Sequence, residues 1–278
     1  MHSRIEQSRG FRLAQISDCH LSARADTPYR GLSADAGLAA VVKAVATWQP
    51  DALMLTGDLS EDGSEASYQR LAELIEPLNA PVCALPGNHD VPELMQQYFP
   101  QGPYESPYFQ QAGDWKVVLL NSARPGRIDG CIDNGDLLRV NQYLAGDGPA
   151  LLALHHQPMA IGSPWIDKYR LEQPEGLMNS VADHPQIKAV VWGHVHQAFA
   201  AQIGSARFMS APSTAANSLP ASAKFTLDPA GPAFRWLELF ADGRMNSGIL
   251  HAPTKGLRLT RQHQPQHQVN DDARKGHR

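Results

Sequence analysis

Apolar residues in this chain fall into short runs, separated by stretches where they recur every three or four positions. The runs Arg12–Ser17, Asp51–Thr56, Val82–Leu85, Trp115–Asn121, Ala150–His155 and Lys188–Trp192 predict buried strands. Between them, Leu32–Trp48 predicts a helix with Leu38, Val41, Val42 and Val45 on one face and Ser33 as N-cap. Glu65–Ile75 and a segment near Asp136–Leu144 predict two more helices. The β-α-β-α-β order implies a parallel sheet covered by helices. Beyond Trp192 the period shortens. Ala198–Ile203, Ala206–Ser210, Lys224–Leu227, Phe234–Phe240 and Ser247–His251 read as short strands between Gly, Pro and Asp turns, and this half is expected to be antiparallel. Two facing sheets with helices outside accommodate both halves, an α/β class. No internal repeat is evident. From about Ala252 the chain turns polar, so residues 1–251 are expected to form one domain and 252–278 a flexible tail.

Composition narrows the function classes. The 278 residues carry a formal charge of −4, without the basic excess of a general nucleic-acid binder. The three cysteines, Cys19, Cys83 and Cys131, are odd in number and far apart, which argues against a disulfide framework and for a reducing compartment. The first residues lack the apolar core of a signal peptide, and no apolar run is long enough to span a bilayer. The expectation is a cytoplasmic protein with no membrane and no nucleic-acid partner.

Six of the twelve histidines fall in motifs at the ends of predicted strands, where sites form in open α/β sheets. Asp18-Cys19-His20 follows the first strand. In an extended segment residues i and i+2 face the same side, so both side chains can reach one cation; an Asx turn beside a surface histidine is the plainer alternative. Gly57-Asp58 offers a carboxylate able to bridge two cations, or simply a turn. Gly87-Asn88-His89-Asp90 offers a neutral oxygen ligand, a histidine free to handle a proton, and a carboxylate able to hold that histidine's second nitrogen; a tight turn is the alternative. His155-His156 supplies one imidazole to each side of a strand. Gly193-His194-Val195-His196 places two imidazoles at i and i+2. Together these groups could hold two cations with positions left open, and mixed imidazole and carboxylate donors suit zinc, iron or manganese better than magnesium alone.

The order Asp-x-His, Gly-Asp, Gly-Asn-His-Asp, His, Gly-His-x-His, running from Asp18 to His196, resembles that of the calcineurin-like metallophosphoesterase superfamily. The segments LAQISDCHL, TGDLSEDGSEASYQ, LPGNHD, LLALHHQPMAIGSPWID, WGHVHQ, APST, FTLD and FRWLELFAD resemble the bacterial class III cyclic AMP phosphodiesterases, over roughly residues 11 to 250. The resemblance implies a four-layer α/β/β/α sandwich of two mixed sheets. It implies two divalent or mixed-valence metal ions, with iron or manganese first in line and zinc or magnesium as alternatives. Asp18, His20, Asp58 and His196 would hold the first, and Asp58, Asn88, His155 and His194 the second. Asp58 would bridge, and His155 is preferred to His156 because the family's ligand matches the first histidine of the pair.

The implied reaction is hydrolysis of 3′,5′-cyclic AMP to 5′-AMP by a metal-bound hydroxide, since two cations about 3.5–4 Å apart can clamp a phosphodiester and activate water. His89 would protonate the leaving oxygen, and His20, Asp58, Asn88, His89 and His196 would face the substrate. Ser213, Thr214 and Asn217 are candidates to contact sugar or base, or are an ordinary polar loop. Trp165 and Tyr169 are candidate lid residues, or ordinary packing. Cys19, between two ligands, is expected to respond to oxidants. The rival readings are a broader phosphodiesterase acting on other cyclic nucleotides or glycerophosphodiesters, a DNA nuclease, which the absence of a basic groove disfavours, and a non-catalytic scaffold, which the complete donor set disfavours.

Overall fold

The computed structural model describes residues 9–253. Its strands in chain order are β1 (Phe11–Ile16), the short β2 (Pro28–Tyr29) and β3 (Leu32–Ser33), β4 (Ala52–Thr56), β5 (Val82–Leu85), β6 (Tyr108–Ala112), β7 (Trp115–Leu119), β8 (Ala150–Ala153), β9 (Ile187–Trp192), β10 (Phe199–Ile203), β11 (Ala206–Ser210), β12 (Ala233–Leu239) and β13 (Met245–His251). The α-helices are α1 (Ala34–Trp48), α2 (Glu65–Ile75), α3 (Pro92–Tyr98), α4 (Asn134–Leu144), α5 (Pro164–Asp167) and α6 (Glu175–Asp183).

One sheet has the order β13-β12-β1-β4-β5 and the other β10-β11-β9-β8-β7-β6. In the first, β1, β4 and β5 run parallel and β12 and β13 pair antiparallel; in the second, β11, β9, β8 and β7 run parallel and the edge strands β10 and β6 antiparallel. The alternation of side chains along each strand builds the layers. In β1, Ala14 and Ile16 face α1 and its neighbours, whereas Leu13 faces the other sheet. In β8, Leu151 and Ala153 join that inter-sheet core while Ala150 and Leu152 pack under the helices of the second side. Trp115, Met54, Val191 and Leu237 fill the space between the sheets. Three apolar layers separate four layers of structure, as the resemblance implied.

Helix starts follow the sequence closely. Ser33 caps α1 by accepting from the Ala36 N–H at 3.2 Å, and Ser64 caps α2 by accepting from Ser67. The differences lie where patterning is weak. Leu32 belongs to the β2–β3 hairpin rather than to the helix. Lys224–Leu227 is no strand: it touches Ser218 through a single bridge at Leu227, because Phe225 turns toward the central cleft instead of pairing. The predicted antiparallel half is mixed, since β11 runs parallel to β9. β6, α3, α5 and α6 carry short or interrupted apolar patterns that the periodicity missed. Ala252 is buried and donates to the Pro232 carbonyl, so the folded unit passes the expected boundary at residue 251; the rest of the expected tail lies outside the described residues from 254 onward.

Candidate metal centre

The five motifs meet. Each follows the carboxyl end of a parallel strand: β1, β4 and β5 from one sheet, β8 and β9 from the other. The site therefore spans the seam between the sheets at one end of the sandwich. The local geometry corrects the expectation of extended backbone. Asp18, His20, Asp58, His194 and His196 have φ of 53°, 45°, 50°, 66° and 50°, the left-handed region that non-glycine residues enter only at a cost. Backbone bonds between loops hold them there: Asp18 N–H donates to Gly57 and His20 N–H to Asp58, each at 3.0 Å. Such strain, over-determined by its surroundings, marks functional loops.

Two glycines permit the close approach. A Cβ on Gly87 would lie 2.2 Å from Asp58 Oδ1, and one on Gly193 would lie 2.1 Å from Ser17 Oγ and 2.8 Å from Asp18 Oδ2. Around these points the donors converge. His196 Nε2 is 3.3 Å from Asp18 Oδ1 and 3.0 Å from His20 Nε2. Asp58 Oδ2 lies 3.4 Å from His155 Nε2 and 3.8 Å from His20 Nε2. Asp58 thus stands between two imidazole sets.

Each of four imidazoles has one nitrogen occupied by an acceptor. Nδ1 of His155 meets Thr56 O at 2.8 Å, Nδ1 of His196 meets Ala216 O at 2.7 Å, Nε2 of His194 meets Tyr169 O at 3.1 Å, and Nδ1 of His20 meets Glu61 Oε2 at 2.7 Å. An acceptor on one nitrogen sets the tautomer and leaves the other as a lone-pair donor, the arrangement that metal-ligating histidines use. Within the described residues, His155 Nε2 and Asn88 Oδ1 are buried with no hydrogen-bond partner. Buried polar atoms left so are costly unless a ligand satisfies them. The donor set fits a pair of cations.

His156 differs from His155. Its Nδ1 is 2.9 Å from Ser122 Oγ and its Nε2 3.0 Å from Ile128 O, so both nitrogens are engaged in protein contacts, although its ring lies near His155 and His194.

Electrostatics follow from burial and pairing. Burial alone would raise the Asp58 and Asp18 carboxyls, but His155 and His20 beside the first, and His196 beside the second, hold both below the ordinary range. Burial disfavours the charged form of His155, yet Asp58 outweighs it and lifts the group to about 9. His194 is pushed down to about 3 by burial and by His155. At the half-exposed His89, burial opposes charging, but Asp58 and Glu61 outweigh it and hold the imidazole above its usual value.

The structure reassigns several side chains. Asp90 does not hold His89. Its carboxylate accepts from Gly87, Leu59 and Ser60 N–H and from the Tyr68 hydroxyl, stapling two site loops together. Glu61 stands there instead: its backbone carbonyl meets His89 Nδ1 at 3.2 Å, and its carboxylate bonds His20 and lies 3.4 Å from His89 Nδ1. The sequence reading missed Glu61 because an acidic residue after a Gly-Asp turn reads as solvated; its place three residues beyond Asp58 was the available signal. Ser213 and Asn217 are buried and bond within their own loop and to the Asp18 carbonyl, and Thr214 is fully buried, so none of the three faces substrate. Cys19 is fully buried and its thiol is pushed up to about 12 by desolvation, which removes the basis for oxidant sensing. Trp165 and Tyr169 do line the cleft, about 560 Å³ in volume, together with His20, Asp58, Asn88, His89, His194 and His196.

A helix-flanked double sheet whose strand-end loops pool Asp, Asn and His donors around one shared carboxylate has the form of a two-cation hydrolytic centre. The sequence pattern of the calcineurin-like phosphoesterase family matches residues 11–198, and the chain belongs to that family, which uses a dinuclear metal centre. It is 41% identical over 241 residues to the 3′,5′-cyclic adenosine monophosphate phosphodiesterase CpdA of Pseudomonas aeruginosa, covering 85% of this chain and 88% of the relative. It is 34% identical to a 3′,5′-cyclic-nucleotide phosphodiesterase of Nostoc, covering 87% and 92%. Among solved structures, the fold is similar to a dimetal phosphatase from Danio rerio, with a TM-score of 0.68 at 14% identity, covering 88% of this chain and all of the other.

Proposed function

We propose that this protein hydrolyses 3′,5′-cyclic AMP to 5′-AMP at a dinuclear metal centre. The observation that carries the reading is the position of Asp58 between two sets of imidazoles whose other nitrogens are already engaged. Asp18, His20, Asp58 and His196 would hold one ion, and Asp58, Asn88, His155 and His194 the other. His155 is assigned rather than His156 because only His155 keeps a free nitrogen beside Asp58. Iron or manganese suits this set, with zinc and magnesium as alternatives. Bound there, the ions supply Lewis-acid polarisation of the phosphate and an activated water.

The protein's own groups do the rest. Asn88 and His89 line the cleft, where they would contact the phosphate. The Glu61 backbone carbonyl, with its carboxylate nearby, orients His89 through Nδ1 and leaves Nε2 for the departing 3′ oxygen, to which His89 donates its proton. The walls of the cleft hold the nucleoside and limit water around the leaving group. Among the described residues no helix is long and apolar enough to cross a membrane, and the three free thiols suit a reducing cytoplasm.

The test is to strip the protein with chelator, reload it with manganese or iron, and compare cyclic AMP, cyclic GMP and a glycerophosphodiester. Metal-dependent turnover with cyclic nucleotides preferred is expected. Faster turnover of the glycerophosphodiester would favour the broader phosphodiesterase reading, and no turnover of any diester by the reloaded protein would overturn the proposal.

A further inference from the structure

One wall of the cleft is not explained by metal or proton chemistry. It is assembled from three separate segments: the tip of the β2–β3 hairpin, helix α5, and the loop that the sequence pattern had suggested as a strand. Phe225 and Trp165 meet edge to face at 5.3 Å between ring centroids, and each ring lies near that of His196, at 6.2 and 6.4 Å. The Arg30 guanidinium lies over Phe225 at 3.9 Å from the ring centroid and 6.0 Å from that of Trp165. Its Nε donates to the Tyr29 hydroxyl at 3.2 Å. Among the described residues no carboxylate lies within ion-pair distance of this exposed cation, unlike Arg127 across the cleft, which pairs with Asp129 and Glu172.

The backbone sharpens the case. Arg30 and Gly31, at the tip of a two-residue hairpin, have φ of 47° and 83°. Positive φ at both central residues is a type I′ turn, where Asn, Asp or Gly is preferred at the first position. An arginine there is strained, and the strain places a planar cation against an aromatic ring beside the metal-facing histidines.

Resting on the phosphodiesterase reading above, we propose that Arg30 is the base-recognition residue of this site: the purine of a bound nucleotide stacks on the open face of its guanidinium, while Phe225 backs the other face and Trp165 flanks it. Arginine planes and aromatic rings stack on bases in this way, and every base offers a π face. Recognition by this wall therefore separates nucleotides from diesters that lack a base, and treats adenine and guanine alike.

The test uses full-length, metal-loaded protein and the ratio of kcat/KM for cyclic AMP, and for cyclic GMP, to that for a base-less diester, glycerophosphoglycerol. Arg30→Asn suits the turn better than arginine and is expected to fold as well as the parent, yet to lower both ratios about 10-fold, chiefly through KM. Phe225→Ala is expected to do the same. Arg30→Lys keeps the charge and loses the plane, so it is expected to behave like Arg30→Asn. As an independent readout, 5′-AMP is expected to inhibit the parent about 10-fold more tightly than ribose 5-phosphate, and the two to become equal in Arg30→Asn. Unchanged ratios in Arg30→Asn would overturn the assignment while leaving the catalytic reading intact. Full retention in Arg30→Lys would overturn stacking in favour of simple charge attraction. A parent that turns over glycerophosphoglycerol but no cyclic nucleotide would instead overturn the reading on which the assignment rests.

Discussion

The two sides of the cleft are built on different physical terms. The metal-facing side is buried, strained and doubly supported: Asp18, His155 and His194 are almost wholly removed from solvent, and each is fixed by bonds from a second loop. The facing wall, Arg30 with Phe225 and Trp165, is half-buried or exposed and is held by ring and cation contacts and one hydrogen bond from Arg30 to Tyr29. Buried donors with one permitted tautomer tolerate no substitution without leaving an orphaned polar group. A stacking wall in partial contact with water can be altered with the fold intact. The comparison separates a part that makes the chemistry possible from a part that chooses what enters.

That separation can be broken by experiment, and the largest effect is expected at its centre. Asp58→Ala removes the carboxylate shared by both imidazole sets, so metal content measured by elemental analysis and kcat should fall together, the latter on the order of 10³-fold or more. A variant that kept both metals and lost activity would place Asp58 in another role. His89→Ala lies at the boundary between the two sides. It should retain metal while lowering kcat on cyclic AMP by on the order of 10²–10⁴-fold, with a much smaller loss on a p-nitrophenyl diester, whose leaving group needs no proton. Equal losses on the two substrates would remove the acid role.

Glu61→Gln tests the link between them, because one carboxylate oxygen bonds His20 and lies 3.4 Å from His89, while the backbone bond to His89 is kept. A roughly 10–100-fold loss in metal affinity or kcat is expected, read by metal titration beside steady-state rates. Gly87→Ala should act on packing: its Cβ would collide with Asp58, costing about 1–3 kcal/mol in thermal or denaturant unfolding. The smallest effect concerns the thiols. In the native protein a maleimide should label the partly exposed Cys131 and spare the buried Cys19 and Cys83, as peptide mass spectrometry would show.

The amino-acid sequence by itself determined the strands β1, β4, β5, β8 and β9, the capped helices α1 and α2, and the chain order of the donors, because apolar period, cap residues and strand-end motifs are local properties. It did not determine which side chains have spare hydrogen-bonding capacity. His155 and His156 are chemically equal neighbours in the chain, and only the tertiary contacts occupy both nitrogens of the second and one of the first. The same holds for Asp90 and Glu61, whose roles are exchanged relative to their order, and for the Ser213 loop, which turns inward. The wall of Arg30, Trp165 and Phe225 was legible least of all, since its members are 135 positions apart between hairpin tip and helix and a further 60 to the loop, and lie in no regular period. Local pattern sets which elements form; long-range packing sets which atoms are left over, and the leftover atoms are where a ligand can bind.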